Sequence, residues 1–452
     1  MDPQVQQLLE LLNWKSFYGI SDNAFASLQT ILKTNIPTGN ALQEENDSPQ
    51  MPEMPSPLVS KSKRAALFFL RHFTGLQPRY YDCCPRSCCA FTGDHSDAEN
   101  CPCGVSRYIS LNEKQISRKQ FCYLPLIPRL LIFYSNSLQS KLYQTYPMSL
   151  FDSQHQQGGW HDCWDGTLFR EHVNSFQEPR HLVFGFFTDG VQVVRQKTHD
   201  IWPLLLIQLN LPPKVRYKKR NLILLGIIPG PKQPSDFESF FQPMLDEFKR
   251  LEQGVQAWDG HRKEWFTLTV SLLQITGDQP AIASVMGMKG PRGKHPCRLC
   301  SLAGIRLRTG YYYPLQSPTN VPPNLHWQPA NYDPLHLPYR CHLRETIYHV
   351  IGANSEDLLR ETGISSLSPF LQLGTVHFPH SFGIDIMHLV PEGVVKLMLS
   401  HWMGDSAIDK VDKGQRCNPA YCTDYILLAK TWETIGALMH QARTMVPLHP
   451  PL

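Results

Sequence analysis

Three acidic residues occur where their side chains could bind the same metal ions. Asp189 ends the apolar run FGFFTDG, Asp278 ends the later run SLLQITGD, and Glu392 lies on the helical pattern DIMHLVPEGVVKLMLSHW. Carboxylates hold Mg²⁺ in proteins, and two such ions about 3.5–4 Å apart can assist the hydrolysis or transfer of a phosphodiester. Neighbouring strands lie about 4.8 Å apart, so acids at their ends can reach one pair of ions. The three residues are therefore candidates for a two-metal site.

Each of these acids also has a simpler interpretation. The chain has 39 acidic residues, so three of them can fall at such places by chance. Asp-Gly pairs are common in turns, and Asp189 could form only the corner of a hairpin. Asp385 lies close to Glu392 and is an alternative third ligand. Its other role would be to cap the N-terminus of the helix that follows it.

The elements that would carry the acids form a mixed α/β sheet. Four apolar runs broken by turn residues are predicted strands: HLVFGFFTDG, VQVVRQ, WPLLLIQLNL and NLILLGIIPG. The next segment, SDFESFFQPMLDEFKRLEQGV, predicts an amphipathic helix that has Ser235 as its N-cap and ends near Gly254. A further strand-like run, EWFTLTVSLLQITGDQPA, follows it. In the RNase H-like arrangement, the first acid lies on the first strand, the second follows a crossover helix, and the third lies on a helix. Asp189, Asp278 and Glu392 follow this order. The predicted fold class is therefore α/β with an RNase H-like mixed-sheet core.

Composition shifts divide the chain into seven predicted segments. They are an N-terminal helical segment (1–33), a flexible linker rich in Pro, Asn, Ser and acids (34–60), a Cys-rich region (61–110), a connecting region (111–180), the first part of the core (181–300), an insertion rich in Pro, Tyr and His (301–375), and a C-terminal helical part of the core (376–452).

The overall composition limits the possible classes of protein. The 452 residues carry 43 Lys and Arg against 39 Asp and Glu, a net charge of +4 that permits an anionic partner without requiring one. No run approaches the roughly 18–20 apolar residues that span a bilayer, and the N-terminus MDPQVQQLLELLNW lacks the basic start of a secretory signal. We therefore expect the 13 cysteines to be thiols or metal ligands rather than disulfides.

Four of these cysteines have the spacing of a zinc site. Cys84 and Cys88 form one pair, and Cys101 and Cys103 form a second pair after a loop long enough to wrap around the metal. The second pair is tighter than the usual C-x₂-C. Either it chelates nevertheless, or one position is taken by one of three neighbours, which are Cys83, Cys89 and His95. The alternative to a structural zinc site is a set of reduced thiols.

A series of phrases between about residues 80 and 440 occurs in one order: YDCCPRSCCAFTG…CPCGVSRY, WHDCWDGTLF, GFFTDGVQVV, IWPLLLIQLNLPP, NLILLGIIPGPKQPSDFESFFQPMLDEFKRL, GDQPAIASVMGMKG…CRLC and SFGIDIMHLVPEGVVKLMLSHW. Together they resemble the CACTA (En/Spm-like) DNA transposase family. The family's catalytic acids fall on Asp189, Asp278 and Glu392, although the family usually has Asn where this chain has Gly393. The resemblance implies a cut-and-paste transposase with two Mg²⁺ or Mn²⁺ ions. It further implies binding of transposon ends and target DNA, a nuclear location, and at least a dimer during synapsis of two ends.

The resemblance also implies a second zinc site. The family places a C-x₂-C pair after the second acid, and this pair falls on Cys297 and Cys300. Two distant histidines would complete the site, and they could be drawn from His377, His380 and His388. His388 could instead pack against the helix that bears Glu392.

A transposase must also contact DNA, and two basic clusters are candidates. The cluster just beyond Asp278 contributes Lys289, Arg292 and Lys294. The cluster between two predicted strands contributes Arg216, Lys218, Lys219 and Arg220, either as a DNA-facing loop or as a nuclear-import signal. Both clusters could also be solvated surface. For sequence-specific recognition of element ends, the Cys-rich stretch at 80–104 is the first candidate.

Two other functions are compatible with the same residues. One is a catalytically inactive or truncated descendant that binds DNA or acts as a scaffold, which the tight Cys101–Cys103 pair and the end of the chain soon after a helix would favour. The other is a metal-dependent nuclease without strand transfer, since both reactions use one kind of site.

Overall fold

The computed structural model of the protein describes residues 76–151, 162–171, 178–192, 200–300, 302–307, 310–313, 343–403 and 427–445. The helical segment predicted at 1–33 and the linker predicted at 34–60 lie outside the described residues, as do residues 314–342 of the predicted insertion. No helix in the described ranges has the length and apolar composition that a membrane span requires.

The strands are numbered along the described chain. They are β1 (Arg79–Asp82), β2 (Tyr108–Leu111), β3 (Lys114–Ser117), β4 (Gln120–Tyr123), β5 (Leu182–Phe187), β6 (Val191–Gln192), β7 (Asp200–Gln208), β8 (Leu222–Pro229), β9 (Val255–Asp259), β10 (Glu264–Leu268), β11 (Val270–Thr276), β12 (Ile305–Leu307) and β13 (Gly310–Tyr312). Seven of them form the central sheet in the order β1-β4-β8-β7-β5-β11, with β6 paired to β7. The remaining six form the two-stranded ladders β2–β3, β9–β10 and β12–β13.

The helices are numbered in the same way. They are α1 (Ile127–Ser135), α2 (Ser137–Phe151), α3 (Thr167–Glu171), α4 (Pro213–Arg216), α5 (Phe237–Gln253), α6 (Gln279–Val285), α7 (Arg344–Ala353), α8 (Glu356–Thr362), α9 (Ile386–Leu389), α10 (Lys396–Trp402) and α11 (Ala429–Met445). A π-helical turn, Val390–Val395, joins α9 to α10.

Strand direction in the central sheet is mixed. β5 pairs with β11 in parallel and with β7 antiparallel, and the β7–β8, β8–β4 and β4–β1 pairs are antiparallel. A parallel strand is usually covered on both faces and therefore reads as a continuous apolar run. The LVFGFF sequence of β5 fits this rule, since its first five residues are buried. The predicted mixed α/β class is confirmed.

Helix α5 covers β5, the strand that leads to Asp189. Its apolar side chains recur at intervals of three and four, and three fully buried phenylalanines among them are Phe240, Phe241 and Phe248. The ring of Phe241 lies 5.3 Å from that of Phe186 on β5, centroid to centroid. Its N-cap is Asp236 rather than the predicted Ser235, and it ends at Gly254, where φ is 96°. The position and buried face of this crossover helix agree with the sequence pattern.

The Cys-rich and connecting regions contribute to the same sheet as the predicted core. β4 pairs with β8 through Cys122↔Ile227 and Tyr123↔Gly226, and β1 pairs with β4. The buried Glu247 of α5 accepts hydrogen bonds from the Tyr123 hydroxyl and from two backbone N–H groups at the start of α1. Residues 79–123 are therefore tied to the core by both backbone and side-chain bonds.

Candidate functional site

The first two predicted acids lie at equivalent positions after adjacent parallel strands. Phe187 at the end of β5 is in register with Thr276 at the end of β11, and each acid follows two residues later. Asp189 accepts a hydrogen bond from the Gly190 N–H at 2.7 Å, and Asp278 accepts one from the Ala281 N–H at 2.7 Å as the N-cap of α6. The sheet therefore brings both carboxylates to the edge formed by the C-terminal ends of β5 and β11, the acidic edge.

The backbones at these two strand ends approach closely. A Cβ at position 277 would lie 2.9 Å from the carbonyl oxygen of Thr188. Only glycine fits there without a shift, because real Cβ atoms almost never approach an oxygen so closely. Gly277 thus permits the close approach of the two segments that carry Asp189 and Asp278.

Asp385 reaches the same edge from the C-terminal part of the chain. Phe382 bridges Ile275 of β11 in parallel, with hydrogen bonds from Ile275 N to Ser381 O (2.7 Å) and from Gly383 N to Ile275 O (2.9 Å). Asp385 then caps α9 by accepting from the Met387 and His388 N–H groups. This capping role is the one that the sequence predicted as the alternative to metal binding.

A carboxylate–histidine pair extends this acidic group. Oδ2 of Asp385 lies 2.6 Å from Nδ1 of His388. The hydrogen bond to Asp385 raises the pKa of His388, and the negative charges of Glu392 and Asp189 act in the same direction. Burial raises the pKa of Asp189, and the charges of Asp278 and Asp385 add to the shift. Asp189, Asp385 and His388 therefore lie close enough to interact electrostatically.

Glu392 is less closely associated with the first two acids than Asp385 is. It is exposed on the π-helical turn. A cleft of 620 Å³ is lined by Asp278, Asp385 and His388, by residues 297–299, and by apolar side chains from α9, the π-helical turn and α10. Glu392 does not line this cleft. Single π-helical turns are frequent at functional sites, so the irregular helix around Glu392 is itself notable.

The four predicted zinc-binding cysteines form a compact cluster. The sulfurs of Cys84, Cys88, Cys101 and Cys103 all lie within 4.8 Å of one another. The Sγ atoms of Cys84 and Cys103 are 3.6 Å apart, close to the roughly 3.8 Å edge of a tetrahedron with 2.3 Å Zn–S bonds. Tight turns with positive φ follow each pair's first cysteine, at Ser87 (64°) and Gly104 (82°). This cluster could hold a metal ion such as zinc, as predicted.

The tight Cys101–Cys103 pair needs no substitute ligand. Of the three alternatives, His95 is bonded to Asp236 through Nε2 at 3.1 Å, and Cys83 and Cys89 are not members of the four-sulfur group. Burial raises the pKa of Cys88 to about 12, whereas the backbone N–H of Val105 helps lower that of the exposed Cys103 to about 7. Cys103 is thus the ligand most readily available as a thiolate, the form that binds metal.

Hydrogen bonds connect the cysteine cluster to the central sheet and to α5. The carbonyl of Cys88 accepts hydrogen bonds from the backbone N–H groups of Ser235 and Asp236, just before α5 begins. Lys119 donates to Ser87 Oγ at 3.0 Å and to the carbonyl of Pro229 at the end of β8 at 3.1 Å. Order in the cluster is therefore coupled to the end of β8 and the start of α5.

Within the described residues, the cysteine cluster is the one group of three or more His, Cys, Asp or Glu whose ligand atoms lie within 4.8 Å of one another. Two consequences follow. The carboxylates of Asp189, Asp278 and Asp385 share an edge without being in mutual contact. The ligand atoms of Cys297, Cys300, His377 and His380 do not form such a group, and the second zinc site stays a prediction. Cys297 instead lines the cleft, and His380 is exposed.

The first basic cluster lies beside the cleft. Pro291 lines the cleft together with Asp278, so residues 289–294 border the acidic edge. Lys289 is exposed, and Arg292 lies in a short 3₁₀ turn, Gly290–Arg292. Lys294 forms an ion pair with Glu361 at 2.6 Å. Exposed pairs of this kind contribute little free energy, so Lys294 can exchange Glu361 for another anion.

The second basic cluster requires a correction. Arg216 is 1% exposed, and its guanidinium forms two 2.6 Å bonds with the carboxylate of Asp162 and further bonds with the carbonyls of Leu209 and Leu211. The prediction that Arg216 contacts DNA is therefore wrong, because a buried and fully bonded guanidinium cannot reach a phosphate. Sequence alone gave no signal for this pair, since Asp162 lies far away along the chain.

The other three members of this cluster are exposed but lie away from the acids. Lys218, Lys219 and Arg220 follow the end of β7. Gln208 at that end is in register with Phe184 near the start of β5, whereas Asp189 follows the end of β5. These basic side chains and the acidic edge are consequently at opposite ends of the sheet.

Substituting Arg216 by Gln is expected to lower the free energy of unfolding by about 3–5 kcal/mol, because Asp162 would remain buried without its cationic partner. Chemical denaturation measures this loss. The neighbouring exposed Lys218→Gln variant should stay within about 0.5 kcal/mol of the unsubstituted protein. An Arg216→Gln protein of unchanged stability but weaker DNA binding would restore the original interpretation.

Comparison with known proteins identifies part of this region. Residues 161–311 match the sequence model of the transposase family tnp2. No curated protein sequence matches the chain. The matched region includes Asp189 and Asp278, and it excludes the cysteine cluster, Asp385 and Glu392. Residues 161–311 are therefore similar to transposases of that family.

Proposed function

We propose that the protein is a cut-and-paste DNA transposase of the CACTA type, which cleaves phosphodiesters at transposon ends and joins the freed ends to target DNA. One observation carries the proposal: Asp189 and Asp278 end adjacent parallel strands inside the region that matches the tnp2 family. The order of elements is also the one expected of an RNase H-like core: an acid after one strand, a crossover helix, an acid after a second strand, and a later acid at the start of a helix.

The acidic edge has the donor set that hard divalent cations prefer. Each of Asp189 and Asp278 uses Oδ1 for a backbone N–H, so Oδ2 can serve another ligand. Burial and the neighbouring charges of Asp278 and Asp385 raise the pKa of Asp189, and a cation would relieve that repulsion. When bound, two Mg²⁺ or Mn²⁺ ions would activate the attacking oxygen and stabilise the leaving oxygen.

The chain's own residues would position the DNA strand. In this proposal Asp189 and Asp278 would hold the metal ions at the edge of the sheet where the scissile phosphate lies, and α6 begins directly after Asp278. Lys289, Arg292 and Lys294 would hold the flanking phosphates, since they are close in sequence to Pro291, which lines the cleft. His388, held by Asp385, would stand beside the reacting groups.

The third acid is proposed to be Asp385, with Glu392 as the alternative. Asp385 lines the cleft with Asp278 and perturbs the pKa of Asp189, whereas Glu392 is exposed and outside the cleft. The two acids belong to one continuous segment of α9 and the π-helical turn. A small rotation of that segment on binding DNA could bring Glu392 closer.

A catalytically inactive, zinc-bearing DNA-binding or scaffold protein is the second candidate. It is favoured by the contrast between a cysteine cluster already within ligand distance and carboxylates that are not. A nuclear location and action as at least a dimer would fit either candidate, since both act on DNA.

Labelled DNA that carries the element's terminal repeats, incubated with the full chain and Mn²⁺ or Mg²⁺, tests the proposal. A transposase should nick at the element ends and yield products joined to a second DNA, and chelation by EDTA should stop both reactions. Nicks without joined products would indicate a nuclease. Binding without nicks would indicate the scaffold function.

A further inference from the structure

Arg298 lies between the two cysteines of the C-x₂-C pair, and its side chain hydrogen-bonds to the backbone segment that precedes Asp385, the proposed third acid. Its Nε donates to the carbonyl of Phe382 at 3.1 Å, and its Nη2 donates to the carbonyl of Gly383 at 2.6 Å. The side chain is half-buried and lines the 620 Å³ cleft together with Asp278 and Asp385. Arg298 thus bridges two segments that are far apart in sequence.

The two carbonyls belong to the outermost strand-like segment on this side of the sheet. Ser381 and Gly383 are hydrogen-bonded to Ile275 of β11 on one side. The carbonyl of Phe382 is satisfied by Arg298 instead of by a further strand. A guanidinium suits this task, because its planar fork presents several N–H donors in a fixed geometry.

The segment held in this way ends at the third acid. Asp385 follows Gly383 by two residues, and Asp278 follows Thr276 of β11 by two residues. Gly383 leaves little freedom for adjustment, since a Cβ there would lie 3.0 Å from the Thr276 side chain. A shift at Phe382 and Gly383 would therefore be transmitted to Asp385 and to α9.

We infer that Arg298 is a positioning residue that fixes the third acid of the proposed site relative to Asp278. The inference rests on the proposed function, and it assigns the segment CRLC a role that the zinc prediction did not contain. Arg298 does not touch the reacting groups in this role. It acts through the backbone that carries Asp385 and the start of the segment that carries Glu392.

Titration of the full chain with Mn²⁺ by calorimetry tests the inference without relying on catalysis. Residues that orient metal ligands typically change metal affinity about 10- to 100-fold when they are replaced. Arg298→Gln is expected to weaken Mn²⁺ binding by about that factor. Arg298→Lys should also weaken it, because an ammonium group cannot reproduce the two-pronged contact. The Lys variant keeps the charge, so it also serves if Arg298→Gln fails to fold.

Arg344 offers a matched control. It also donates to backbone carbonyls, those of Leu373 (2.7 Å) and Val376 (3.1 Å), but it does not line the cleft. Arg344→Gln is expected to lower the thermal midpoint and to leave Mn²⁺ affinity unchanged. If Arg298→Gln and Arg344→Gln weaken Mn²⁺ binding equally, Arg298 has only a general structural role and the inference is overturned.

A further variant separates this inference from the proposed function. Asp278→Asn should abolish Mn²⁺ binding at the acidic edge. If the unsubstituted chain binds no Mn²⁺, or if Asp278→Asn binds it equally well, the proposed function fails. If Asp278→Asn loses binding while Arg298→Gln and Arg298→Lys keep it unchanged, the proposed function stands and the role of Arg298 is refuted.

Discussion

Replacing Asp189 or Asp278 by Asn is expected to lower Mn²⁺-dependent nicking of element-end DNA by about 1,000-fold or more. Charge stabilisation through a metal site is worth several kcal/mol, and each 1.36 kcal/mol corresponds to a tenfold change in rate. Asn is nearly isosteric with Asp but lacks the charge that binds a hard cation. The measurement is the initial rate of nicking with end-labelled DNA under saturating enzyme.

Neither substitution should destabilise the fold. An Asn at position 278 can still cap α6, since Asn is as good an N-cap as Asp. An Asn at position 189 can still accept the Gly190 N–H, and it removes a charge whose repulsion from Asp278 and Asp385 helps raise the pKa of Asp189. Asp357→Asn is the matched control, because Asp357 is an exposed acid on α8. Nicking by Asp189→Asn at the unsubstituted rate would show that the catalytic assignment is wrong.

The same assay decides between the two third acids. Asp385→Asn is expected to cause a loss comparable to that of Asp278→Asn, and Glu392→Gln a smaller one. The opposite result would return the assignment to Glu392, as the sequence first predicted.

Removing the thiols of the cysteine cluster is expected to have the largest effect on stability. A chain with Cys84→Ser and Cys101→Ser should lose its zinc and a large part of the about 10–16 kcal/mol that structural zinc contributes in zinc-finger peptides. The loss should spread beyond the cluster, because Cys88 and Lys119 connect it to α5 and β8. Metal analysis and thermal unfolding measure the two effects.

Two control variants make this prediction specific. Cys89→Ser and a Cys297→Ser, Cys300→Ser double variant should keep the zinc, since those thiols are not in the four-sulfur group. Zinc content that is unchanged in the Cys84→Ser, Cys101→Ser chain would show that other residues hold the metal. Zinc loss in the Cys297→Ser, Cys300→Ser chain would support the second site.

Local patterns in the sequence predicted the parts of the fold that depend on neighbouring residues. The apolar periodicity of α5 and the continuous apolar run of β5 follow from which faces are buried, and burial leaves a trace in residue spacing. The cysteine cluster was predictable for a similar reason, since chelating pairs must lie close together in sequence.

Interactions between segments that are distant in sequence could not be predicted from local patterns. Arg216 lies in a basic run that reads as surface, and only the folded chain brings Asp162 to it. The choice between Asp385 and Glu392 depends on how the segment after Phe382 packs on β11, which spacing along one helix does not determine. Glu247 gave no signal either, because its partners at Tyr123 and α1 come from a region predicted to lie outside the core.

The strand pairing on the outer sides of β8 and β11 affects which fragments of the protein can be expressed. The part that matches the tnp2 family, residues 161–311, contains β5, β7, β8 and β11 but neither of the segments that flank them, which are β4 beside β8 and residues 381–383 beside β11. A fragment cut to those limits would expose unpaired backbone along both outer strands, a common cause of aggregation. We therefore expect a fragment of residues 161–311 to be prone to aggregation, and a fragment that includes residues 79–123 and extends past Gly383 to be better suited to expression.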